Sequence, residues 1–398
     1  MAIDRRSLLR SSCFAAASFA TFPRWAAAGL FRDRPKRASS DPDTILVVVQ
    51  MNGGNDGLNT LVPFADPVYL ASRPSLALPG SQTLKLDAKS GLHPSLANFY
   101  RYLGSGQLAI VQSVGYPNPD LSHFRSDDIW ESAVPDRVES TGWLGRALEQ
   151  IYGADAEELR GASFSGDVLA FHDVPVMSDP GSFNYYQDDP TLATAFRSIL
   201  KPAGPPNRAY VGHIGELAVA DVGTVKQALS AYTSTVTYPT NSPLGTSLQQ
   251  MVALIAADVG PRIFFTGQGG YDTHSDQLGV QADLFSDLDL SLDAFYRDLV
   301  EHQLDKRVVV MTYSEFGRRV EDNGSGGTDH GTANVMFVLG TSVRGGLYGQ
   351  KPSLENLDPD GNLKFTTDLR AVYASILANW IDTDPVPVVG DFPKLSFL

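Results

Sequence analysis

Apolar residues gather in short continuous runs separated by longer stretches of helical patterning. Residues 44–51 (Thr-Ile-Leu-Val-Val-Val-Gln-Met) are β-branched and apolar almost throughout, and the run stops in the glycines Gly53 and Gly54. A strand half-exposed to water alternates, whereas one buried on both faces of a largely parallel sheet reads continuously. Similar runs recur at 108–114, 262–266, 307–313 and 333–340. Helical patterning occupies about 122–134, 144–152, 243–258, 278–303 and 367–381. The alternation predicts an α/β fold, a mostly parallel sheet covered by helices on both faces. There is no internal repeat. Residues 44–398 read as one domain, with a less patterned stretch at about 153–242 taken as an insertion or cap.

The first residues do not fit this scheme. Asp4-Arg5-Arg6-Ser7-Leu8-Leu9-Arg10 is a twin-arginine pattern, followed by a small, weakly apolar run at 12–20 and by Trp25-Ala26-Ala27-Ala28, which has cleavage-site character. Residues 1–28 therefore read as a Tat export signal and 29–43 as a linker, predicting Tat machinery as a partner and a periplasmic or secreted location. The apolar run is too short to span a bilayer, so no transmembrane anchor is expected. Cys13, the single cysteine, leaves with the signal. Chemistry must then come from oxygen and imidazole groups, without disulfides or thiolates. Acidic residues outnumber basic ones 45 to 31, a net charge of −14. That balance argues against a nucleic-acid partner.

In open α/β sheets ligands bind beyond the carboxyl ends of the strands. Each apolar run here ends in polar, metal-competent residues: Asn52, Asp56 and their glycines after the first, Ser122, His123 and Arg125 after the second, Asp272-Thr273-His274 after the third, and Ser314-Glu315 with Arg318 after the fourth. Asp329-His330, in a glycine-rich loop, stands just before the last run. Carboxylate oxygen and imidazole nitrogen are what Zn²⁺, Mn²⁺ or a similar ion selects when thiolates are absent. Blander assignments remain open: Asn52–Gly57 as a tight strand exit, Asp272-Thr273-His274 as a surface turn, Glu315 and Arg318 as a solvated pair. Ser122 is also a natural N-cap, and that position favours an anion. His93, His172, His213 and His302 stand in no constellation.

Taken in chain order, Met51–Asn59, Ser122–Ser126 with Trp130-Glu131, Thr141–Arg146, Tyr271–His274, Ser314–Arg318 and Gly327–Gly331 resemble the bacterial, twin-arginine-exported domain of unknown function family 1501, grouped with the alkaline phosphatase and sulfatase superfamily. The resemblance implies a mixed, mostly parallel sheet between helices, divalent metals at the strand ends, and a Ser or Thr nucleophile that takes a phosphoryl or sulfuryl group. On it, Asp272, His274 and His330, with Asp329 adjacent, look like one metal site, and Ser122 looks like the nucleophile. Arg125 or Arg318 would hold the anion, and His123 would stand near the leaving group. A second site would draw on Asn52 or Asp56, Ser122 and Glu315, with Phe316 where the superfamily has a histidine. Either one ion is held, or a second occupies an oxygen-only site of the Ca²⁺ or Mg²⁺ kind. The expected function is an exported metal-dependent hydrolase of phosphate or sulfate esters. The alternatives are a degenerate relative that binds a metal or an anionic glycan without turnover, and a structural partner in an envelope assembly.

Overall fold

The computed structural model describes residues 44–153, 160–172, 174, 176–178 and 222–398, with the single positions 191, 194 and 198. The predicted signal and linker, most of the predicted insertion, and His213 lie outside the described residues.

Among the described residues the main sheet has nine strands: β1 (Ile45–Asn52), β2 (Leu108–Gly115), β3 (Gly161–Ser163), β4 (Val176–Ser178), β5 (Ile263–Gly269), β6 (Val308–Tyr313), β7 (Asn334–Leu339), β8 (Gly346–Tyr348) and β9 (Thr367–Asp368). Their order is β8-β2-β7-β6-β1-β5-β3-β4, with β9 beside β2. β1 lies between β5 and β6, parallel to both. β3 runs parallel to β4 and β5, and β8 and β9 run parallel to β2. Among these strands only β7 runs against its neighbours, antiparallel to β2 and to β6. The mixed, mostly parallel sheet is as expected, and the reversal of β7 has a consequence for the site. The segment before β7 emerges at the same sheet edge as the segments after β1, β2, β5 and β6.

Alternation along β1 explains its continuous apolar run. Ile45, Val47, Val49 and Met51 pack with one core, while Leu46 and Val48 pack with another. The first core is closed by helices α1 (Ala97–Gly104), α4 (Pro243–Ala256) and α5 (Gln277–Glu301). The second is closed by α2 (His123–Ser132), α3 (Trp143–Tyr152) and α6 (Leu369–Ile376). Each fully buried Val or Leu contributes roughly 1.5–3 kcal/mol, so neither face tolerates polar alternation. α6 continues into a wider turn over Leu377–Ile381, where Trp380 Nε1 donates to Ile45 O at 2.9 Å and ties the C-terminal region to the start of β1.

Candidate metal centre

Close backbone approach builds the site. At the exit of β1, Gly53 has φ +120°, and a Cβ there would stand 2.3 Å from the Asp272 backbone nitrogen. Only glycine lets the two loops meet. Tyr271 N then donates to Asn52 O at 3.1 Å. Arg318, 1% exposed, locks the junction. Its Nε donates to Gly54 O at 2.6 Å and its Nη1 to Thr328 O at 2.8 Å, while its Nη2 donates to Gly53 O, Tyr271 O and, at 2.8 Å, Asp272 Oδ1. Asn334, at the head of β7, donates from Nδ2 to Asn55 O at 2.9 Å and to Phe316 O at 2.7 Å, joining two more loops.

On this frame three imidazoles converge on one carboxylate. His123, Asp272 and His330 offer ligand atoms that all lie within 4.8 Å of one another. His330 Nε2 is 3.1 Å and His274 Nε2 3.0 Å from Asp272 Oδ1, and these two nitrogens are 3.1 Å apart. His123 Nε2 is 3.5 Å from Asp272 Oδ2. Each ring's other nitrogen faces a pure acceptor: His123 Nδ1 meets Glu315 Oε1 at 2.6 Å, His274 Nδ1 meets Asp329 Oδ1 at 3.2 Å, and His330 Nδ1 meets Leu121 O at 2.8 Å. With the protons on Nδ1, the arrangement a bound cation requires, the Nε2 lone pairs of neutral rings turn toward Asp272; without a cation, protonated rings donate to the carboxylate instead.

Lone pairs facing a carboxylate repel unless a proton or a cation stands among them. His123 Nε2 is buried and has no hydrogen-bond partner. The donor set fits a metal: imidazole nitrogens whose second nitrogen is tied to a carboxylate or carbonyl are the usual outer-sphere arrangement of metal-binding histidines. Burial pushes the Asp272 carboxyl up, but hydrogen bonds from Arg318 and His330 and the charges of Arg318 and His274 outweigh it and hold the group at about 2. The Glu315 hydrogen bond, aided by the charges of Glu315 and Asp272, raises His123 above the ordinary imidazole value against its burial.

The structure distributes the other predicted residues differently. Glu315, fully buried, stands behind His123: its Oε1 also accepts from Gly53 N at 2.8 Å and its Oε2 from Ser314 Oγ at 3.0 Å. Asp329 stands behind His274. Asp56 lies apart from the cluster, its Oδ2 accepting from Arg73 Nη1 at 2.5 Å and Gln277 Nε2 at 2.6 Å, its Oδ1 capping Leu58 N at 3.1 Å. Asn52 is exposed at the end of β1. Arg125 is engaged by the segment that follows α2, where its Nη2 donates to Pro135 O at 3.2 Å and Arg137 O at 2.8 Å. Arg318 has its donors committed to carbonyls and to Asp272, and so positions that carboxylate. Ser122 is exposed at the N-cap of α2, next in the chain to His123, and its hydroxyl makes no capping hydrogen bond.

Phe316 forms a wall of the centre, its ring 4.7 Å from that of His123 and 4.6 Å from that of His330. Sequence reasoning missed Arg73 and Gln277, which hold the surrounding loops, and gave Ser314 no supporting role behind Glu315. Arg73 sits in no local motif, and Gln277 looks like an ordinary first residue of a helix.

Known proteins resemble parts of this chain. The family described as protein of unknown function (DUF1501) matches residues 216–373, a span that carries Asp272, His274, Glu315, Arg318, Asp329 and His330 and stops short of the Asn52–Asp56 and Ser122–Arg125 segments. The expected resemblance to that family therefore holds over this part of the chain. No curated protein sequence matches. Among solved structures, murine ectonucleotide pyrophosphatase/phosphodiesterase 5 aligns at 10% identity and a TM-score of 0.41, over 89% of this chain and 98% of that one. The PsFucS1 sulfatase from a Pseudoalteromonas species aligns at 10% identity and 0.40, over 100% and 75%. An alkaline phosphatase from the Antarctic bacterium TAB5 aligns at 12% identity and 0.32, over 77% and 95%.

Proposed function

We propose that this chain is an exported, metal-dependent hydrolase of phosphate or sulfate esters that holds one transition-metal ion and acts through Ser122. The observation that carries the reading is the convergence of three imidazole Nε2 atoms on Asp272, with each ring's Nδ1 set against a carboxylate or carbonyl oxygen. His123, Asp272, His274 and His330 are the proposed ligands. A nitrogen-rich set of this kind favours Zn²⁺ or a similar ion over Ca²⁺ or Mg²⁺. When bound, such an ion supplies the positive charge that polarises an ester's non-bridging oxygens and eases deprotonation of a nearby hydroxyl.

The chain's own groups do the rest. Ser122 Oγ, free of a capping bond, loses its proton as it forms the new bond to phosphorus or sulfur, the leaving oxygen departs as the protonated alcohol, and water then displaces the serine to release phosphate or sulfate and restore its hydroxyl. The first turn of α2 presents backbone N–H groups and the positive end of its dipole to the anionic ester. Glu315 and Asp329 fix the tautomers and orientations of His123 and His274, and Arg318 holds Asp272. Export rests on the Arg5-Arg6 pattern, and no described helix is long and apolar enough to cross a membrane.

Replacing Ser122 by Ala tests the reading directly. Loss of aryl phosphate or aryl sulfate hydrolysis at unchanged metal content supports it, and unchanged hydrolysis removes Ser122 as nucleophile. One observation favours the non-catalytic alternative, a protein that binds metal or an anionic glycan. Phe316 and the engaged Asp56 leave no second ligand set beside the first among the described residues. A metal-loaded wild type without esterase activity would select that alternative.

A further inference from the structure

We infer that Gln277 is a positioning residue for the metal centre, the hub of a buried polar bracket that sets the two ligand-bearing loops at a fixed separation. This inference rests on the metal-centre reading. Gln277, the first residue of α5, is fully buried and uses both ends of its side chain. Its Oε1 accepts from Thr328 Oγ1 at 2.6 Å and from Thr273 Oγ1 at 3.2 Å. Thr273 sits between Asp272 and His274, and Thr328 immediately precedes Asp329-His330. One carbonyl oxygen therefore joins the two segments that carry Asp272, His274 and His330.

The amide's other end looks inward. Gln277 Nε2 donates to Asp56 Oδ2 at 2.6 Å, and Asp56 is held in turn by Arg73 in an ion pair with no exposed side-chain surface on either partner. Arg73 also donates to Val320 O at 2.8 Å and Arg319 O at 2.7 Å, so the bracket reaches the strand-exit segment of Arg318 as well. The backbone repeats the connection: Gln277 N donates to Gly326 O at 2.9 Å, and Thr328 N to Thr273 O at 3.2 Å. One turn on, Gln281 Nε2 lies 3.3 Å from Asp56 O. Asp56, a ligand candidate by sequence, thereby acts as the fixed end of the bracket. Groups hydrogen-bonded to metal ligands typically change affinity about 10- to 100-fold when removed, and Gln277, which holds the residues flanking the ligands, is expected at the lower end of that range.

The test compares Thr328→Val, which removes the hydroxyl, with Thr328→Ser, which keeps it, alongside Gln277→Ala. The quantity measured is the Zn²⁺ dissociation constant of the mature full chain, from competition with a chromophoric chelator well below the melting temperature. A core variant, Leu248→Ala, calibrates what stability loss alone does to affinity. Thr328→Val and Gln277→Ala weakened about tenfold or more, with Thr328→Ser and Leu248→Ala within about twofold of wild type, is the expected result. Unchanged affinity in folded Thr328→Val and Gln277→Ala overturns the bracket and leaves the metal centre standing. A wild type that binds no Zn²⁺, Mn²⁺ or Co²⁺ overturns both.

Discussion

Replacing Glu315 by Gln isolates what a buried negative charge does for the centre. The carboxylate is fully buried and accepts from His123 Nδ1 at 2.6 Å, Gly53 N at 2.8 Å and Ser314 Oγ at 3.0 Å. Glutamine preserves shape, and with its oxygen toward Gly53 and His123 only the Ser314 hydroxyl must rotate. What disappears is the charge behind the imidazole. A hydrogen bond to an ionised acceptor is worth about 1.5–3 kcal/mol against roughly 0.5–1.5 for a neutral one, so about 1–2 kcal/mol of support for His123 is lost. At 1.4 kcal/mol per factor of ten, that becomes about 5- to 30-fold weaker metal binding. A chelator-competition titration on the folded variant, with its melting temperature as control, reads this directly. Affinity unchanged within twofold would refute the idea that Glu315 tunes His123 from behind. Glu315→Ala is a poorer probe, because it strands the Gly53 N–H and the His123 Nδ1 proton in the interior and costs fold stability as well.

Two further expectations concern stability and backbone. His93 is buried against Phe285, its Nδ1 accepting from Ser95 N at 3.2 Å, and burial pulls it from the ordinary 6.5 down to about 4. The unfolded chain takes up this proton below pH 6.5 and the folded chain only near pH 4, so the stability His93 confers is complete above 6.5 and falls as the pH drops between these values, by about 3 kcal/mol. His93→Asn keeps an acceptor for Ser95 N and should flatten the urea midpoint over that window; parallel pH curves for variant and wild type would contradict the assignment. Gly53→Ala places a Cβ 2.3 Å from Asp272 N at φ +120° and is expected to cost about 1–3 kcal/mol in backbone strain alone while displacing Asp272 and lowering metal content. A Gly53→Ala protein with wild-type metal content and melting temperature would show that the β1 exit does not set the Asp272 position.

Much of the architecture could be read along the chain because its determinants are local. A strand buried on both faces has no polar positions to spare, and Ile45–Val49 announces that without reference to any partner. The grouping of Asp272, His274 and His330 was likewise legible, since each stands beside an apolar run at a predicted sheet edge. The sequence marks out His123 and Glu315 as well, the ring expected near a leaving group and the carboxylate among the ligands. The structure sets the ring at the cluster and the carboxylate behind it, an order that depends on a contact across 192 residues.

An α/β chain with imidazoles and carboxylates at its strand ends is legible from the residues alone, since periodicity and residue type are properties of short segments. Which strand runs backward, and which carboxylates face the centre, depends on how distant segments pack. Asp329-His330 precedes its strand and still joins loops that come after theirs, because β7 is antiparallel to both of its neighbours. Asp56 is drawn off the centre by Arg73 and Gln277, the latter 221 positions away. Nothing local distinguishes a carboxylate that will meet a buried guanidinium from one that will meet three imidazoles; only the folded chain brings its partner to it.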